Sequence, residues 1–200
     1  MSKQKFFSIL KKEIARIDAA HIDKRHEKVI DKFNADPFPK AIISGKPYRI
    51  FNSNDYLGLR FHPKLRQGEH QASQTFGTGP GAVRFISGSL KIYRDLETAL
   101  AKFHHRQSAM LFSSAFAANV AIIASLIKGQ SKDSLISDQT LVVSDELNHR
   151  SIIEGIRVAN LPSEQRQVFK HLDGNDLKKI LTQNQGKYQR ALVITDGVFS

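Results

Sequence analysis

The chain has 200 residues, 40% of them apolar and 24% charged, a balance that allows one packed core and excludes wholesale disorder. It has no cysteine, which removes disulfides, thiolate metal sites and a cysteine nucleophile, and which suits a cytoplasmic protein; no metal ligand set is expected. The net charge of +11 reads first as a solvated basic surface, and it also suits an anionic ligand such as a phosphate cofactor or a CoA thioester. Bases alternate with acids in KKEIARID and DKRHEKVIDK, without a zinc-finger, RRM or helix-turn-helix pattern, so nucleic acid is not expected as a partner. Neither is a membrane: MSKQKFFSILKKE lacks the apolar core of a signal peptide, and the most apolar run, from Ala115 to Ile127, is too short to span a bilayer.

In chain order, residues 3–33 read as helix with a break, Phe7, Leu10, Ile14 and Ile17 forming one apolar face and Ile22, Val29, Ile30 and Phe33 continuing it. Such an arm packs on its own domain or on a partner subunit. Pro37 and Pro39 end it, and AIISGKPYRIF follows as a hairpin turning at Ser44-Gly45-Lys46-Pro47. Asn52 to Leu59 then reads as turn chemistry at a strand end. Residues 77–88, GTGPGAVRFISG, form a glycine-rich loop that is neither a Walker A loop nor a dinucleotide fingerprint; its glycines permit positive φ or close backbone approach. Residues 92–105 give an amphipathic helix with Leu96, Leu100 and Phe103 inward.

Ala109 to Phe112 reads as a strand, followed by Ser113-Ser114-Ala115-Phe116 and a helix to about Ile127. Small residues at that helix start allow two readings, an anion cup of backbone N–H groups or a well-capped buried helix. Leu141, Val142 and Val143 make a buried strand ended by Ser144 and Asp145, and Ser151 or Asn148 is placed to cap a helix carrying Ile152, Ile153, Ile156 and Val158. His149 then falls just past the carboxyl end of a strand, where open α/β sheets bind ligands, although a histidine there can also simply close the corner. A helix near Asp176–Gln183 and a strand from Ala191 to Ile194 complete the chain, which ends in Thr195-Asp196-Gly197-Val198-Phe199-Ser200. The alternation predicts an α/β fold, a mostly parallel sheet with helices on both faces, and it brings Ser113/Ser114, His149 and Asp196/Ser200 to one rim.

Taken together, NDYLGL (54–59), GTGPGAVRFISG with a following Leu96-Glu97, SSAFAAN (113–119), SDELNHRSIIEGIR (144–157) and TDGVFS (195–200) resemble the α-oxoamine synthases, pyridoxal-phosphate enzymes that condense an amino acid with an acyl-CoA. The resemblance implies the large domain of fold-type I enzymes, here incomplete: residues 1–50 as a helical arm and hairpin, and 51–200 as the first part of the cofactor domain. It implies pyridoxal 5'-phosphate, with the backbone of Ala115 and Phe116 and the neighbouring Ser114 at the phosphate and His149 stacked on the ring as the catalytic residue. It also implies Ser200 at the phenolic oxygen, Asp196 in support near the ring, and Asn54 with His149 at the substrate. The phrasing leans toward glycine C-acetyltransferase, acting on glycine or alanine, with 8-amino-7-oxononanoate synthase next, and toward a homodimer. The lysine that would hold the cofactor, and the aspartate paired with its ring nitrogen, fall beyond residue 200 in the resemblance. The chain is therefore expected to be a fragment, or a truncated relative serving as a non-catalytic partner.

Overall fold

Thr140–Asp145, strand β4, is buried along its whole length, and the fold of the second half of the chain follows from that. Its alternating side chains feed two cores: Val142 packs with Ile123, Ile127, Ile152 and Ile156 on one face, Leu141 and Val143 with Phe169 and Ile180 on the other. Such a two-sided apolar strand needs a partner on each edge as well as cover on each face. In the computed structural model it has both, being paired in parallel with β5 (Arg166–Phe169) and β6 (Arg190–Ile194) in the order β5-β4-β6. Residues 2–22, 27–34, 39–136 and 139–199 are described by the structure. Pro37 and Ser200 lie outside them.

The chain divides into two units, residues 1–88 and 89–200. In the second, α5 (Ala115–Lys128) and α6 (Arg150–Val158) cover one face of the sheet, and α7 (Gly174–Gln183) covers the other. Handedness explains the division. The chain moves from β4 outward to β5 over one face and must return across β4 to β6, and right-handed crossovers running in opposite directions use opposite faces. The fold class therefore agrees with the α/β reading. Arg190, at the start of β6, donates through Nε to the Thr140 hydroxyl at 2.7 Å and through its second nitrogen to the carbonyls of Leu126 and Ile127 at 2.8 and 3.1 Å. A cation thus satisfies the last turn of α5, where carbonyls and the helix dipole call for one.

The first unit holds α1 (Lys3–Ala19), an antiparallel sheet β1 (Lys32–Asn34), β2 (Lys40–Ile43) and β3 (Lys46–Tyr48), then α2 (Pro63–Phe76) and the short α3 (Arg84–Ser87). The hairpin is present, turning on Ser44 and Gly45, both at positive φ (49° and 76°) as a two-residue turn of this hand requires. The long helix is not. It stops where His21 enters the left-handed region at φ 53°, and Phe33 lies in β1 opposite Ala41, because β-branched Val29 and Ile30 lead into a pairing with β2 that a helix could not make. The α1 stripe of Phe7, Leu10 and Ile14 is exposed. The glycine loop behaves as read: Gly77, Gly81 and Gly88 all have positive φ.

Two further readings need correction. Residues 109–112 are not a strand among the described residues; an apolar run becomes one only with a ladder partner, and this segment is instead held by its Leu111 amide donating to Glu97 at 3.0 Å. In α4 (Lys91–Phe103), Leu96 and Phe103 point outward, at 46% and 76% exposure, and Ala101 is the buried position. The strand β5 was not foreseen, since Arg-Gln-Val-Phe has no clear period.

The seam between α5 and α6 closes at Gly155, where a side-chain carbon would lie 3.0 Å from both the Asn119 carbonyl oxygen and Cβ of Ile123. Gly155→Val should destabilise the protein by roughly 1–3 kcal/mol through overpacking. The readout is the denaturant midpoint at unchanged m-value; an unmoved midpoint would show that the helices do not meet there.

Candidate functional site

The carboxyl ends of β4 and β6 are locked together by one side chain. Asn148, buried just past β4, donates through Nδ2 to the Ser144 hydroxyl at 2.9 Å and to the Ile194 carbonyl at 2.8 Å, and its Oδ1 accepts the Asp196 amide at 2.9 Å. Asp196 answers by accepting the His149 amide on Oδ2 at 2.7 Å. Every polar atom of the Asn148 amide thus has a partner, as its burial demands. Asn148 is therefore a clamp and not a helix cap. The cap of α6 is His149 itself, whose Nδ1 accepts the Ser151 amide at 3.2 Å and lies 2.7 Å from the Ser151 hydroxyl. Ser144 and Asp145 are the last two residues of β4.

His149 is exposed at this rim, and the Phe116 ring stands edge-on to it with centroids 6.4 Å apart. The start of α5 and the turn after β4 therefore meet. Ser114 caps α5, its Oγ accepting the Ala117 amide at 3.1 Å. The amides of Ala115 and Phe116 sit in the first helical turn, where no intrahelical acceptor is available. Four of the expected site residues, Ser114, Ala115, Phe116 and His149, thus gather at one corner, with Asp196 pinned to the His149 backbone. Asn54 is exposed in the first unit, beside Asp55, whose carboxylate accepts the Arg60 amide at 3.3 Å. Ser200 lies outside the described residues.

Two rim residues escaped the sequence reading, Asp145 as a hub and His171. The Asp145 side chain is wholly buried and accepts the amides of Leu147 at 2.9 Å and Leu172 at 3.1 Å. His171 Nδ1 lies 3.0 Å from Oδ1, and since a carboxylate only accepts, that nitrogen carries the proton. The same His171 donates its amide to Glu146 at 2.8 Å and meets the Phe199 ring edge-on at 4.4 Å. Burial alone would push the Asp145 carboxyl up; the amides of Leu147 and Leu172, with His171, outweigh it and hold the group below the ordinary aspartate range. The signal for His171 was its place just after β5, invisible while that strand went unrecognised.

Residues 48–200 match the family described as aminotransferase class I and II. The 8-amino-7-oxononanoate synthase of Symbiobacterium thermophilum is 40% identical over 162 residues, covering 81% of this chain and 38% of that protein. That of Treponema denticola is also 40% identical over 162 residues, covering 80% and 38%. The chain spans 38% of the length of these curated relatives. Among solved structures, a serine palmitoyltransferase from S. paucimobilis with bound PLP and myriocin gives a TM-score of 0.78 at 25% identity, over 100% of this chain and 46% of that one. An 8-amino-7-oxononanoate synthase from Francisella tularensis gives 0.55 at 26% identity, over 74% and 37%. No helix among the described residues is long and apolar enough to cross a membrane.

A carboxyl that titrates lower folded than unfolded lends stability that is complete above the ordinary aspartate pKa, about 3.9, and drains away as pH falls toward the lowered folded value. Urea midpoints measured from neutral pH down to about pH 3 should therefore fall in the wild type. Asp145→Asn should start lower, because an amide NH₂ must face one of the two N–H donors, and should lack that acid-dependent component. Parallel profiles for the two proteins would contradict the assignment.

Proposed function

The chain belongs to the class I and II aminotransferase family, and on that premise we propose that it contributes the phosphate-holding and ring-facing parts of a pyridoxal-phosphate-dependent acyltransferase of the α-oxoamine synthase type. The observation that carries this reading is the junction of two turns: the α5 start, capped by Ser114, and the His149 turn, with Phe116 and His149 rings 6.4 Å apart. The donor set fits a phosphorylated aromatic cofactor. Ser114 uses its oxygen as acceptor for Ala117 and so retains its O–H to donate, beside first-turn amides and the positive end of a helix dipole. His149 supplies an aromatic face at the same corner.

Pyridoxal phosphate, when bound, supplies an electron sink that stabilises a carbanion next to an amino-acid nitrogen. The chain's own residues then have distinct tasks. Ser114, Ala115 and Phe116 would hold the phosphate, and His149 would face the ring and border the substrate. Asp196 holds the His149 backbone in place. Ser200 at the phenolic oxygen and Asn54 at the substrate carboxylate complete the proposal, and residues 51–200 form the first part of the cofactor domain. The substrates are an amino acid and an acyl-CoA, whose phosphates suit the net charge of +11. Both curated relatives carry the name 8-amino-7-oxononanoate synthase, which supports a longer acyl donor over the acetyl donor that the motif phrasing favours. A cytoplasmic homodimer completes the reading, supported by the exposed Phe7, Leu10 and Ile14 stripe of α1.

His149→Asn separates fold from function, because asparagine keeps an N-cap acceptor and removes the ring. In the intact protein carrying this chain, the variant should keep its melting temperature, still take up pyridoxal phosphate through the 114–116 corner, and lose roughly a hundredfold in kcat. Assays pairing glycine or alanine with acetyl- or pimeloyl-CoA give the readout and the acyl preference. Full activity in the variant, or no visible cofactor absorbance in the wild type, would overturn the proposal.

A further inference from the structure

Ser151 is 1% exposed, yet its hydroxyl joins two helices. Asn119 of α5 donates from Nδ2 to Ser151 Oγ at 2.9 Å, and that oxygen lies 2.7 Å from His149 Nδ1. The Ser151 amide approaches the same Nδ1 at 3.2 Å. A backbone N–H has no other role than donor and cannot turn away, so it requires a lone pair on Nδ1. The hydroxyl then completes a one-way chain: it accepts from Asn119 on its oxygen and donates its proton to Nδ1. A proton on Nδ1 would instead face the Ser151 N–H and leave the buried hydroxyl hydrogen to find another acceptor, an arrangement that costs a hydrogen bond.

We propose that Ser151 and Asn119 are positioning residues that fix His149 as the Nε2–H tautomer, so that its edge away from α6 presents an N–H donor and not a basic nitrogen. The proposal rests on the reading of His149 as the ring-facing residue of the site and adds what that residue can do there. It holds an oxygen of the substrate or cofactor by donation; it does not accept a proton at Nε2 while Ser151 occupies Nδ1. His171 is set the opposite way, its Nδ1–H spent on Asp145, so the two histidines of the rim carry their protons on different nitrogens for reasons visible in their partners.

The test is the ring ¹⁵N spectrum of His149 in the intact protein labelled at histidine, assigned by loss of the signal in His149→Asn and recorded at a pH of about 8 without added pyridoxal phosphate. Wild type should show a pyridine-type Nδ1 and a pyrrole-type Nε2. Ser151→Ala should reduce the excess of that tautomer about tenfold, the worth of one hydrogen bond, and Ser151→Thr should restore it. Asn119→Asp should raise the Nδ1–H population, because a carboxylate draws the Ser151 O–H to itself and leaves Oγ to accept from the ring. A change of that sign is not produced by loosened packing. Wild type protonated at Nδ1, or Ser151→Ala and Asn119→Asp spectra matching wild type, would overturn the proposal. If Ser151→Ala does not fold, Asn119→Asp and Ser151→Thr still decide it. Failure of wild type to bind pyridoxal phosphate would overturn the functional reading alone, since the tautomer is read without the cofactor.

Discussion

Everything at the candidate site is carried by one strand that has no solvent side. Thr140–Asp145 is paired along both edges and packed on both faces, so its register against β5 and β6 cannot slip by one residue without handing each core the side chains packed into the other. Burying a valine or leucine side chain is worth about 1.5–3 kcal/mol, and Leu141, Val142 and Val143 are all buried. The residues that follow, Glu146 to His149, therefore leave the sheet from a fixed point. A parallel sheet has no hairpin to define its loops, and here rigidity of the strand takes the place of a tight turn.

Polar groups then do at the rim what apolar ones do in the core. Asn148 ties β4 to β6, while Asp145 ties the β4 turn to the loop after β5. Both are buried and fully engaged, and a polar network of this kind rigidifies only while every member is satisfied. One consequence is a division of labour among neighbouring residues. Asp145, Asn148 and Asp196 spend their hydrogen-bonding capacity on protein, whereas His149 and Phe116 turn outward with ring edges and faces still available. His149 does both, its Nδ1 edge capping α6 while the rest of the ring faces outward.

The helix start at Ala115 illustrates why small residues matter at such a corner. Ser114 satisfies the Ala117 amide, and the helix offers no acceptor for the amides of Ala115 and Phe116, so the turn is stable yet retains donors that a phosphate oxygen can take. The same helix reaches back to order the histidine: Asn119, one turn further along, touches Ser151, and Gly155 lets α6 come close enough for that contact. The α5 start, the His149 turn and the Asn119–Ser151 contact thus share a single helix–helix seam.

Much of this was written locally in the chain. The β-branched run at 141–143, the helical periods of α5, α6 and α7, the Ser44-Gly45 turn and the glycines at positive φ each follow from the preferences of a few neighbouring residues, and the strand–turn–helix order was enough to place His149 at a carboxyl rim. Residues 109–112 and β5 show the boundary of that information: whether an extended run is a strand depends on a partner elsewhere, so an apolar segment without one was over-read and a polar one with one was missed. The bonds that organise the site join residues 32 apart in Asn119–Ser151, 46 apart in Asn148–Ile194 and 26 apart in Asp145–His171. Side-chain types and short-range periods are properties of the chain, and they determined the elements. Which donor meets which acceptor across those distances depends on how parallel strands align and helices close over them, and only the tertiary structure decided that.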